Sequence, residues 1–593
     1  MKRILPVLIV TIFLGACATA APPAAVAPAA DVQKLFADYW EEYLQLYPLE
    51  ATFAGDERYD DRLPNMLAPD FRAREHAFRR KWLERVQALD TAQLGDQDRL
   101  SVEIFLRDRT EALEGERFPE HLLPLNQFYS FANLAAQLGS GTSAQPFRTV
   151  AQHERWLRRA AQLPAIFDQA IANMREGMTR GIVQPRALME KVVPQLDALV
   201  VDDPRQSLFW MPAANMPSDF AAADRERLSA AYLALIDERL TPAYRRLRDF
   251  VRDEYLPAAR TSAGLDALPD GAAWYAYNVR RITTTGLTPA QIHQIGLDEV
   301  ARIHAEMRRV IAALGFKGDL HDFFRFLATD PRFEFASEEA LLAAYNGLRQ
   351  RVDAGVPALF SVTPRAGFEI RPVEAFRARS AAGGEYQSPS EDGRRPGVFY
   401  VNTYDLPSRK TWDMEDLYLH EAIPGHHFQL AIQQELRGVP AFRRFGGYTA
   451  FIEGWALYTE SLGKALGVYQ DPYSYFGYLQ NELWRAIRLV VDTGLHSRNW
   501  TREQVIEYML ANSAESETQS IAEAERYMAI PGQALAYKIG ELKVKELRAR
   551  AESQLGARFD IRAFHEEVLK DGAVPLDVLD AKITRWIAER QRG

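Results

Sequence analysis

The chain contains His420-Glu421-Ala422-Ile423-Pro424-Gly425-His426-His427 within residues 411–436, a stretch with the apolar spacing of a helix. A second helical stretch, residues 448–466, contains Phe451-Ile452-Glu453-Gly454-Trp455-Ala456-Leu457-Tyr458-Thr459-Glu460. Imidazoles and a carboxylate close in sequence, with another carboxylate on a later helix, form the usual ligand set of a catalytic zinc ion, whose fourth position is left to water. The Glu beside the first His is the natural general base of such a site. This pattern predicts a helical protein in which two helices share a metal site.

The spacing of the His residues departs from the familiar H-E-x-x-H pattern. There, two His four residues apart lie on one helix face, but here the fourth position is Pro424, which cannot bind a metal. On an ideal helix His426 would lie about 240° around the axis from His420, and His427 would lie nearly in line but about 10 Å along the axis. Because Pro removes an N–H and Gly425 tolerates unusual dihedrals, this pair can break the helix and bring the ligands together. The alternative is a polar His cluster at a kink, or core histidines with protein partners.

Composition and charge exclude several classes of protein. The chain has 593 residues, of which 47% are apolar, and a net charge of −9. Because no Lys/Arg-rich block interrupts the sequence, nucleic acid is not an expected partner. No P-loop, dinucleotide glycine fingerprint or G-x-S-x-G nucleophile elbow is present at a strand–helix junction, so nothing indicates nucleotide or serine-hydrolase chemistry.

The N-terminus has the pattern of a bacterial lipoprotein signal peptide. Two basic residues precede an apolar run, and Leu14-Gly15-Ala16-Cys17 resembles a lipobox. Residues 1–16 are the predicted signal peptide, and Cys17, the only cysteine, is the predicted site of lipid attachment. The alternative is a plain signal peptide with an incidental cysteine. Residues 17–30 are rich in Ala and Pro and predict an extended tether.

The rest of the chain predicts a protein that is tethered to a membrane without crossing it. No later stretch reaches the roughly 20 apolar residues that a membrane span needs. We therefore expect an exported protein of the bacterial cell envelope whose only membrane contact is the lipid on Cys17. Ala18 stands where an Asp would favour inner-membrane retention, which favours the periplasmic side of the outer membrane.

The organisation of the chain predicts a mainly α fold. Long amphipathic stretches follow one another from residue 31 onward, and the Pro/Gly-containing segment 261–271 is the best candidate boundary between helical halves at residues 31–270 and 271–593. The clearest strand signal is Gly397-Val398-Phe399-Tyr400-Val401-Asn402. We expect this strand, or a small sheet that contains it, to lie beside the metal-binding helix and to offer an edge to an extended peptide.

HEAIPGHHFQ followed by FIEGWALYTE resembles the signature of the DUF885 family of bacterial proteins, many of them secreted or lipid-anchored. The resemblance covers nearly all of the mature chain, so that residues 31–593 form one DUF885-like unit, and further matching blocks are Pro48–Gly55, Arg395–Asn402, Arg488–His496, Glu525–Tyr527 and Pro531–Gly540. The family is similar to the gluzincin metallopeptidases, helical oligopeptidases and carboxypeptidases with H-E-x-x-H and a downstream Glu. The resemblance implies a large multi-helix architecture of the gluzincin and oligopeptidase type.

The resemblance also implies a role for each residue of the two motifs. His420 is the first zinc ligand and Glu421 the base, whereas His426 is favoured over His427 as the second ligand. Glu453 is the third ligand. Glu460 is either a partner that orients a ligand His or a solvated or ion-paired carboxylate.

Other residues in the matching blocks are candidates for the donor that stabilises the oxyanion of peptide hydrolysis. These are His496, Tyr527 and Tyr537, of which His496 and Tyr537 join Glu421 as the predicted catalytic set. Arg485 and Arg488 lie on one helix face, where they could bind a substrate carboxylate or form structural ion pairs. His293 and His304 have no ligand pattern nearby and are interpreted as structural.

Together these features favour a zinc-dependent metallopeptidase that hydrolyses peptides. One alternative keeps the metal and changes the substrate to an amide of a cell-wall peptide. A second alternative, of another class, is a non-catalytic envelope lipoprotein that binds peptides. Metal content and a peptide library separate the three, whereas the sequence leaves residue preference and oligomeric state open.

Overall fold

The computed structural model describes residues 28–128, 130–373, 378, 382–389 and 396–592, and these residues form a mainly α-helical protein with a small sheet. The mainly α prediction is confirmed. The helices before residue 360 are α1 Pro28–Leu46, α2 Pro48–Ala54, α3 Pro69–Gln87, α4 Asp96–Gly115, α5 Phe131–Gly139, α6 Val150–Ala160, α7 Leu163–Arg180, α8 Arg186–Asp197, α9 Met211–Ala214, α10 Ala222–Leu235, α11 Thr241–Phe250, α12 Leu256–Ala258, α13 Gly271–Thr283, α14 Pro289–Ala313, α15 Leu320–Thr329 and α16 Glu338–Leu359. The later helices are α17 Met414–Glu421, α18 His426–Glu435, α19 Ala441–Arg444, α20 Thr449–Glu460, α21 Pro472–Ser497, α22 Arg502–Asn512, α23 Glu517–Ala529, α24 Ala536–Leu555, α25 Ile561–Leu569 and α26 Leu576–Arg592.

The N-terminal predictions lie mostly outside the described residues. This holds for the signal peptide, Cys17 and the tether as far as residue 27. Helix α1 already begins at Pro28, so the last three residues of the predicted tether belong to the folded body.

Helix starts follow local chemistry that the sequence makes visible. Thr288 and Thr501 each accept a hydrogen bond from a main-chain N–H three residues later, and a Gln at that position bonds back to the Thr main chain. These reciprocal bonds satisfy donors that a helix N-terminus otherwise leaves without partners. They fix the starts of α14 and α22.

The sheet has three strands, β1 Phe368–Pro372, β2 Gly384–Gln387 and β3 Gly397–Val401, in the order β1-β3-β2. Strand β3 pairs in parallel with β1, with Phe368 opposite Gly397, and antiparallel with β2, with Tyr386 opposite Phe399. The sequence prediction of β3 as an edge strand is therefore wrong. Both of its sides carry ladder hydrogen bonds, and β1 and β2 are the outer strands of the described sheet.

Strand β2 packs directly against the two helices of the His motif. A Cβ on Gly384 would lie 3.1 Å from the Leu417 side chain on α17, and the Tyr386 hydroxyl is 2.9 Å from Nδ1 of His427 on α18. The expectation of a small sheet beside the helix with the His motif is confirmed; that this helix binds a metal stays a prediction.

The apolar interior consists of more than one cluster. The largest surrounds the sheet and the helices after residue 300, and a second is made of residues between Leu63 and Ala259. Because Ile104 and Leu188 pack into the larger cluster, the two predicted halves share part of their interior. The boundary near residue 270 stays a prediction.

Helices α20 and α24 cross with their backbones in contact. A Cβ on Gly454 would lie 2.4 Å from the Gly540 Cα atom, and a Cβ on Gly540 would meet the main-chain oxygen of Ala450. Only glycine permits this approach, because any side chain would push the helices apart. The contact fixes the position of the helix turn that carries Glu453.

Candidate metal centre

The helix that carries the His motif is broken at the Pro-Gly pair. Helix α17 ends at Glu421 and α18 begins at His426, and the four residues between them form a turn. Ala422 has φ −107° and ψ −104°, and Gly425 has φ −76° and ψ −127°, so both ψ values are far from helical. The predicted distortion is confirmed.

Two contacts hold this turn in place. A Cβ on Gly425 would lie 1.9 Å from the main-chain oxygen of His420 and 2.3 Å from that of Leu419, so only glycine fits. The indole Nε1 of Trp455 on α20 donates a hydrogen bond of 2.9 Å to the main-chain oxygen of Pro424. The sequence analysis missed this role of Trp455, although its place in the second motif is a signal for it.

We expect Gly425→Ala to destabilise the protein by about 1–3 kcal/mol or more, because the added methyl group overlaps two carbonyl oxygens. Denaturant unfolding would measure the loss. Gly347→Ala is the matched control, since a Cβ on Gly347 meets no atom within 4 Å and its site is a helix interior. There Ala should raise stability by roughly 0.5–1 kcal/mol. Equal stability of Gly425→Ala and wild type would contradict the tight turn.

The turn brings two imidazoles to one carboxylate. Nε2 of His420 lies 3.5 Å, and Nε2 of His426 3.4 Å, from Oε2 of Glu453. Ligand atoms about 2.0–2.1 Å from a tetrahedral zinc ion are about 3.3–3.4 Å apart. The two imidazole rings are nearly perpendicular, with their centres 4.7 Å apart. The donor types and the two distances to Glu453 therefore fit zinc.

Glu421 lies beside these ligands. One of its carboxylate oxygens and a ring nitrogen each of His420 and His426 all lie within 4.8 Å of one another. Its side chain is 8% exposed, as is suitable for a base that must meet a water molecule but not bulk solvent. This location of Glu421 is compatible with the general-base role that the sequence predicts for it.

Glu460 lies behind His420 and bonds to its other nitrogen. Oε1 of Glu460 is 2.6 Å from Nδ1 of His420. A carboxylate that accepts the Nδ1 proton leaves Nε2 with its lone pair directed at the ligand cluster. Burial raises the pKa of Glu460 to about 8, against the opposing positive charge of Arg485, so the carboxylate form that accepts this proton predominates only above that pH. Of the two interpretations left open by the sequence, the geometry favours the orienting partner.

The charge of Glu453 is stabilised by the two imidazoles. Burial raises the pKa of this carboxyl, but when the imidazoles are protonated the charge of His426 and a hydrogen bond from His420 outweigh burial and hold the pKa well below its usual range. The side chains of Glu453 and His426 keep 18% and 12% of their exposure, so the cluster can be reached from solvent. Nδ1 of His426 is buried without a partner among the described residues.

His427 points away from the ligand cluster towards the sheet. Its Nδ1 bonds to the Tyr386 hydroxyl, and its ring packs on Phe368 at 4.6 Å. Burial, helped by the charge of Arg349, lowers the pKa of His427 to about 4, so the ring is neutral. The geometry favours His426 over His427 as the second ligand.

The model of one protein family, described as "Bacterial protein of unknown function (DUF885)", matches residues 48–583. The chain belongs to the DUF885 family. None of the curated proteins matches it.

Two solved structures have the same fold as this DUF885 protein. One, from Colwellia psychrerythraea, is provisionally described as a lipoprotein; it is 28% identical, has a TM-score of 0.89, and the match covers 95% of this chain and 100% of that one. The other, from Shewanella oneidensis, is provisionally described as a lipoprotein of unknown function, with 19% identity, a TM-score of 0.74 and the same coverage. Among the described helices, none has the length and apolar character of a membrane span.

The similarity to oligopeptidases that the sequence suggests is not supported. A structure provisionally described as oligoendopeptidase F, from Bacillus anthracis, matches with 12% identity and a TM-score of only 0.27, over 88% of this chain and 96% of that one. A match this weak lends the resemblance no support. The gluzincin resemblance therefore depends on the motifs alone.

The structure contradicts the role predicted for His496 in this DUF885 protein. Nδ1 accepts a hydrogen bond of 2.9 Å from the main-chain N–H of Leu265, and Nε2 donates one of 3.0 Å to the main-chain oxygen of Tyr527. The ring is fully buried, and burial lowers its pKa to about 3. With both nitrogens engaged, His496 has no donor left for an oxyanion and holds segments together instead.

The two candidate tyrosines differ in their surroundings. The Tyr527 hydroxyl donates to Glu523 at 2.6 Å and accepts from Arg488, so it is engaged in a structural network. Tyr537 lies one helix turn before Gly540, which contacts the residue next to Glu453. The catalytic role of Tyr537 stays a prediction, and its placement is compatible with it.

His293 and His304 bond within the helical framework, as interpreted from the sequence. Nδ1 of His293 is 2.9 Å from the Thr493 hydroxyl, and Nε2 of His304 is 2.9 Å from the main-chain oxygen of Asn512. Neither belongs to the ligand cluster.

Proposed function

We propose that this protein is a zinc-dependent metallopeptidase. The observation that carries the proposal is the distance of 3.5 and 3.4 Å from Oε2 of Glu453 to Nε2 of His420 and of His426, which is close to the ligand spacing of tetrahedral zinc. Glu421 beside the cluster and Glu460 behind it supply the base and the orienting carboxylate that zinc hydrolases need.

His420, His426 and Glu453 would hold the zinc ion, which when bound polarises a peptide carbonyl and makes a nearby water more acidic. Glu421 accepts the proton of that water and passes it to the leaving amine. Glu460 keeps Nε2 of His420 available as a ligand. Tyr537 is the remaining candidate for the donor to the oxyanion.

Strand β2 replaces β3 as the strand that would align an extended peptide. It is an outer strand of the described sheet and packs on α17 through Gly384 and on α18 through Tyr386. Main-chain hydrogen bonds along a sheet edge recognise a peptide independently of its side chains. A peptide beside β2 would run along the helices that carry His420 and His426.

The proposal includes attachment to the bacterial envelope through lipid on Cys17, on the periplasmic side of the outer membrane. Leu14-Gly15-Ala16-Cys17 and the description of two structural relatives as lipoproteins support it. Two acyl chains suffice for stable anchoring, whereas one does not.

Metal analysis and a peptide library test the proposal together. We expect close to one zinc per chain after gentle purification, hydrolysis of short peptides, and loss of that hydrolysis on chelation with recovery on adding zinc. Less than about 0.2 zinc per chain with no hydrolysis would favour the non-catalytic peptide-binding lipoprotein. Cleavage of cell-wall fragments alone would favour the cell-wall amide hydrolase.

A further inference from the structure

A cluster of polar side chains includes and surrounds Tyr537, on helices α21, α23 and α24 and the turn before α24. We call it the arginine cluster, and its members are Arg488, Glu523, Arg526, Tyr527, Gln533 and Tyr537. Arg488 donates from Nε to the Tyr527 hydroxyl at 3.1 Å and from Nη2 to Glu523 at 3.0 Å. Its guanidinium also lies over the Tyr537 ring, 4.5 Å from the ring centre.

Arg526 completes the arginine cluster from the other side. Its Nη1 is 3.3 Å from Glu523, and its Nη2 donates to Gln533 at 3.0 Å and lies 3.4 Å from the Tyr537 hydroxyl. Both guanidinium groups thus share the single carboxylate of Glu523 and meet at Tyr537.

The arginine cluster carries one more positive than negative charge. Burial raises the pKa of Glu523, but the charges of Arg488 and Arg526 outweigh burial and lower the pKa to about 2, so Glu523 is ionised. Glu515 also interacts electrostatically with Arg488, and its pKa is raised to about 7 by burial and by the charges of Asp413 and Glu523. Glu515 is therefore an incomplete counter-charge at neutral pH. A buried positive charge without a full partner is unfavourable, and a bound anion would relieve it.

Donors of the arginine cluster are available to a ligand. Nη1 of Arg488 donates to no residue in the described part of the chain, and the side chain keeps 7% of its exposure. The side chain of Arg526 keeps 24% of its exposure. A planar guanidinium offers paired N–H groups that match the two oxygens of a carboxylate.

The fold places the arginine cluster next to the metal centre. Tyr537, which contacts both arginines, stands one helix turn before Gly540, and Gly540 touches Gly454, the neighbour of Glu453. One turn of helix is about 5.4 Å long. One short peptide could therefore reach from an anion site at the arginines to the predicted zinc ligands.

We infer that the arginine cluster binds a carboxylate of the peptide substrate, supplied either by its C-terminus or by an acidic side chain. This inference rests on the proposed function and adds a substrate class to it. An enzyme that recognises the C-terminus of its substrate would act as a carboxypeptidase or a dipeptidase. An enzyme that recognises a side-chain carboxylate would prefer peptides with acidic residues.

Binding of matched peptides to the non-hydrolysing Glu421→Gln variant tests the inference without requiring turnover. Three peptides of one neutral sequence would be compared by fluorescence titration: the free acid, the C-terminal amide, and the amide with one residue changed to Glu. We expect the free acid or the Glu-containing amide to bind at least about tenfold more tightly than the neutral amide. Whichever peptide gains affinity identifies the source of the carboxylate.

The variant Arg526→Gln, made in the same background, should abolish that preference. Its matched control is Arg502→Gln, because Arg502 on α22 is 25% exposed and pairs with Glu525 of α23, outside the arginine cluster. The control should keep the preference, and circular dichroism would verify the fold of both variants. Equal binding of all three peptides to Glu421→Gln would overturn the inference, as would an unchanged preference in Arg526→Gln.

Failure of the inference and failure of the proposed function give different results. Hydrolysis by the wild type without any preference for a carboxylate removes the arginine cluster from recognition and leaves the peptidase intact. A carboxylate preference in binding with no hydrolysis by the wild type removes the peptidase and leaves the binding site.

Discussion

Glu421→Gln should lower turnover of a cleavable peptide by about a thousandfold while zinc content and stability stay close to wild type. The reason is that His420, His426 and Glu453 are the proposed ligands and Glu421, which lies among them, is the proposed base, so its loss removes a proton acceptor and no proposed ligand. General acid–base catalysis contributes typically about 10²–10⁴-fold to a rate. Initial rates at saturating peptide, with metal content by mass spectrometry, measure both effects.

Glu415→Gln is the matched control for this prediction. Glu415 lies on the same helix α17 with the same 8% exposure, but its carboxylate accepts the main-chain N–H of Tyr469 at 2.7 Å and pairs with Arg351. We expect this variant to lose stability and to keep turnover per folded molecule. Near-wild-type turnover in Glu421→Gln would rule out its role as the base.

His426→Ala should lose zinc, whereas His427→Ala should retain it. Nε2 of His426 is 3.4 Å from Oε2 of Glu453, but His427 bonds to Tyr386 at the sheet. Removing a direct ligand should weaken zinc binding by more than the roughly 10–100-fold that the loss of an orienting partner costs. Competition titration with a zinc-binding dye measures the affinity of each variant.

The two variants control for one another, since both remove a mostly buried imidazole from the start of α18. Loss of the bond to Tyr386 should cost His427→Ala about 1–3 kcal/mol of unfolding free energy. A reversed result, with zinc lost only from His427→Ala, would overturn the ligand assignment.

The sequence predicts the helical framework and the break in the His motif well, because both depend on local chemistry. Apolar periodicity, the Thr-Pro and Thr-Arg capping boxes, and the Pro424-Gly425 pair act within a few residues. The place of β3 in the sheet could not be predicted, because its partner β1 lies some thirty residues earlier and pairs in parallel, and short strands give a weak periodic signal.

In the candidate site, too, features that depend on local sequence could be predicted and features that depend on tertiary packing could not. Proximity of His420, His426 and Glu453 follows from motif spacing once the helix is broken, but the direction of a single imidazole does not. His496 lies in a block that matches the family, yet its nitrogens bond to Leu265 and Tyr527, which only tertiary packing decides. Arg526 escaped notice for the same reason, since its contacts with Gln533 and Tyr537 form only in the folded chain.

The crossing of α20 and α24 at Gly454 and Gly540 has a consequence for the order in which the protein matures. The carboxylate of Glu453 is held in register by a helix that begins more than eighty residues later in the chain. A partly synthesised polypeptide that ends before α24 lacks this support and presents only a flexible pair of imidazoles to a cation. If the proposed site binds zinc, tight metal capture would thus be a late event, coupled to completion of the C-terminal helices.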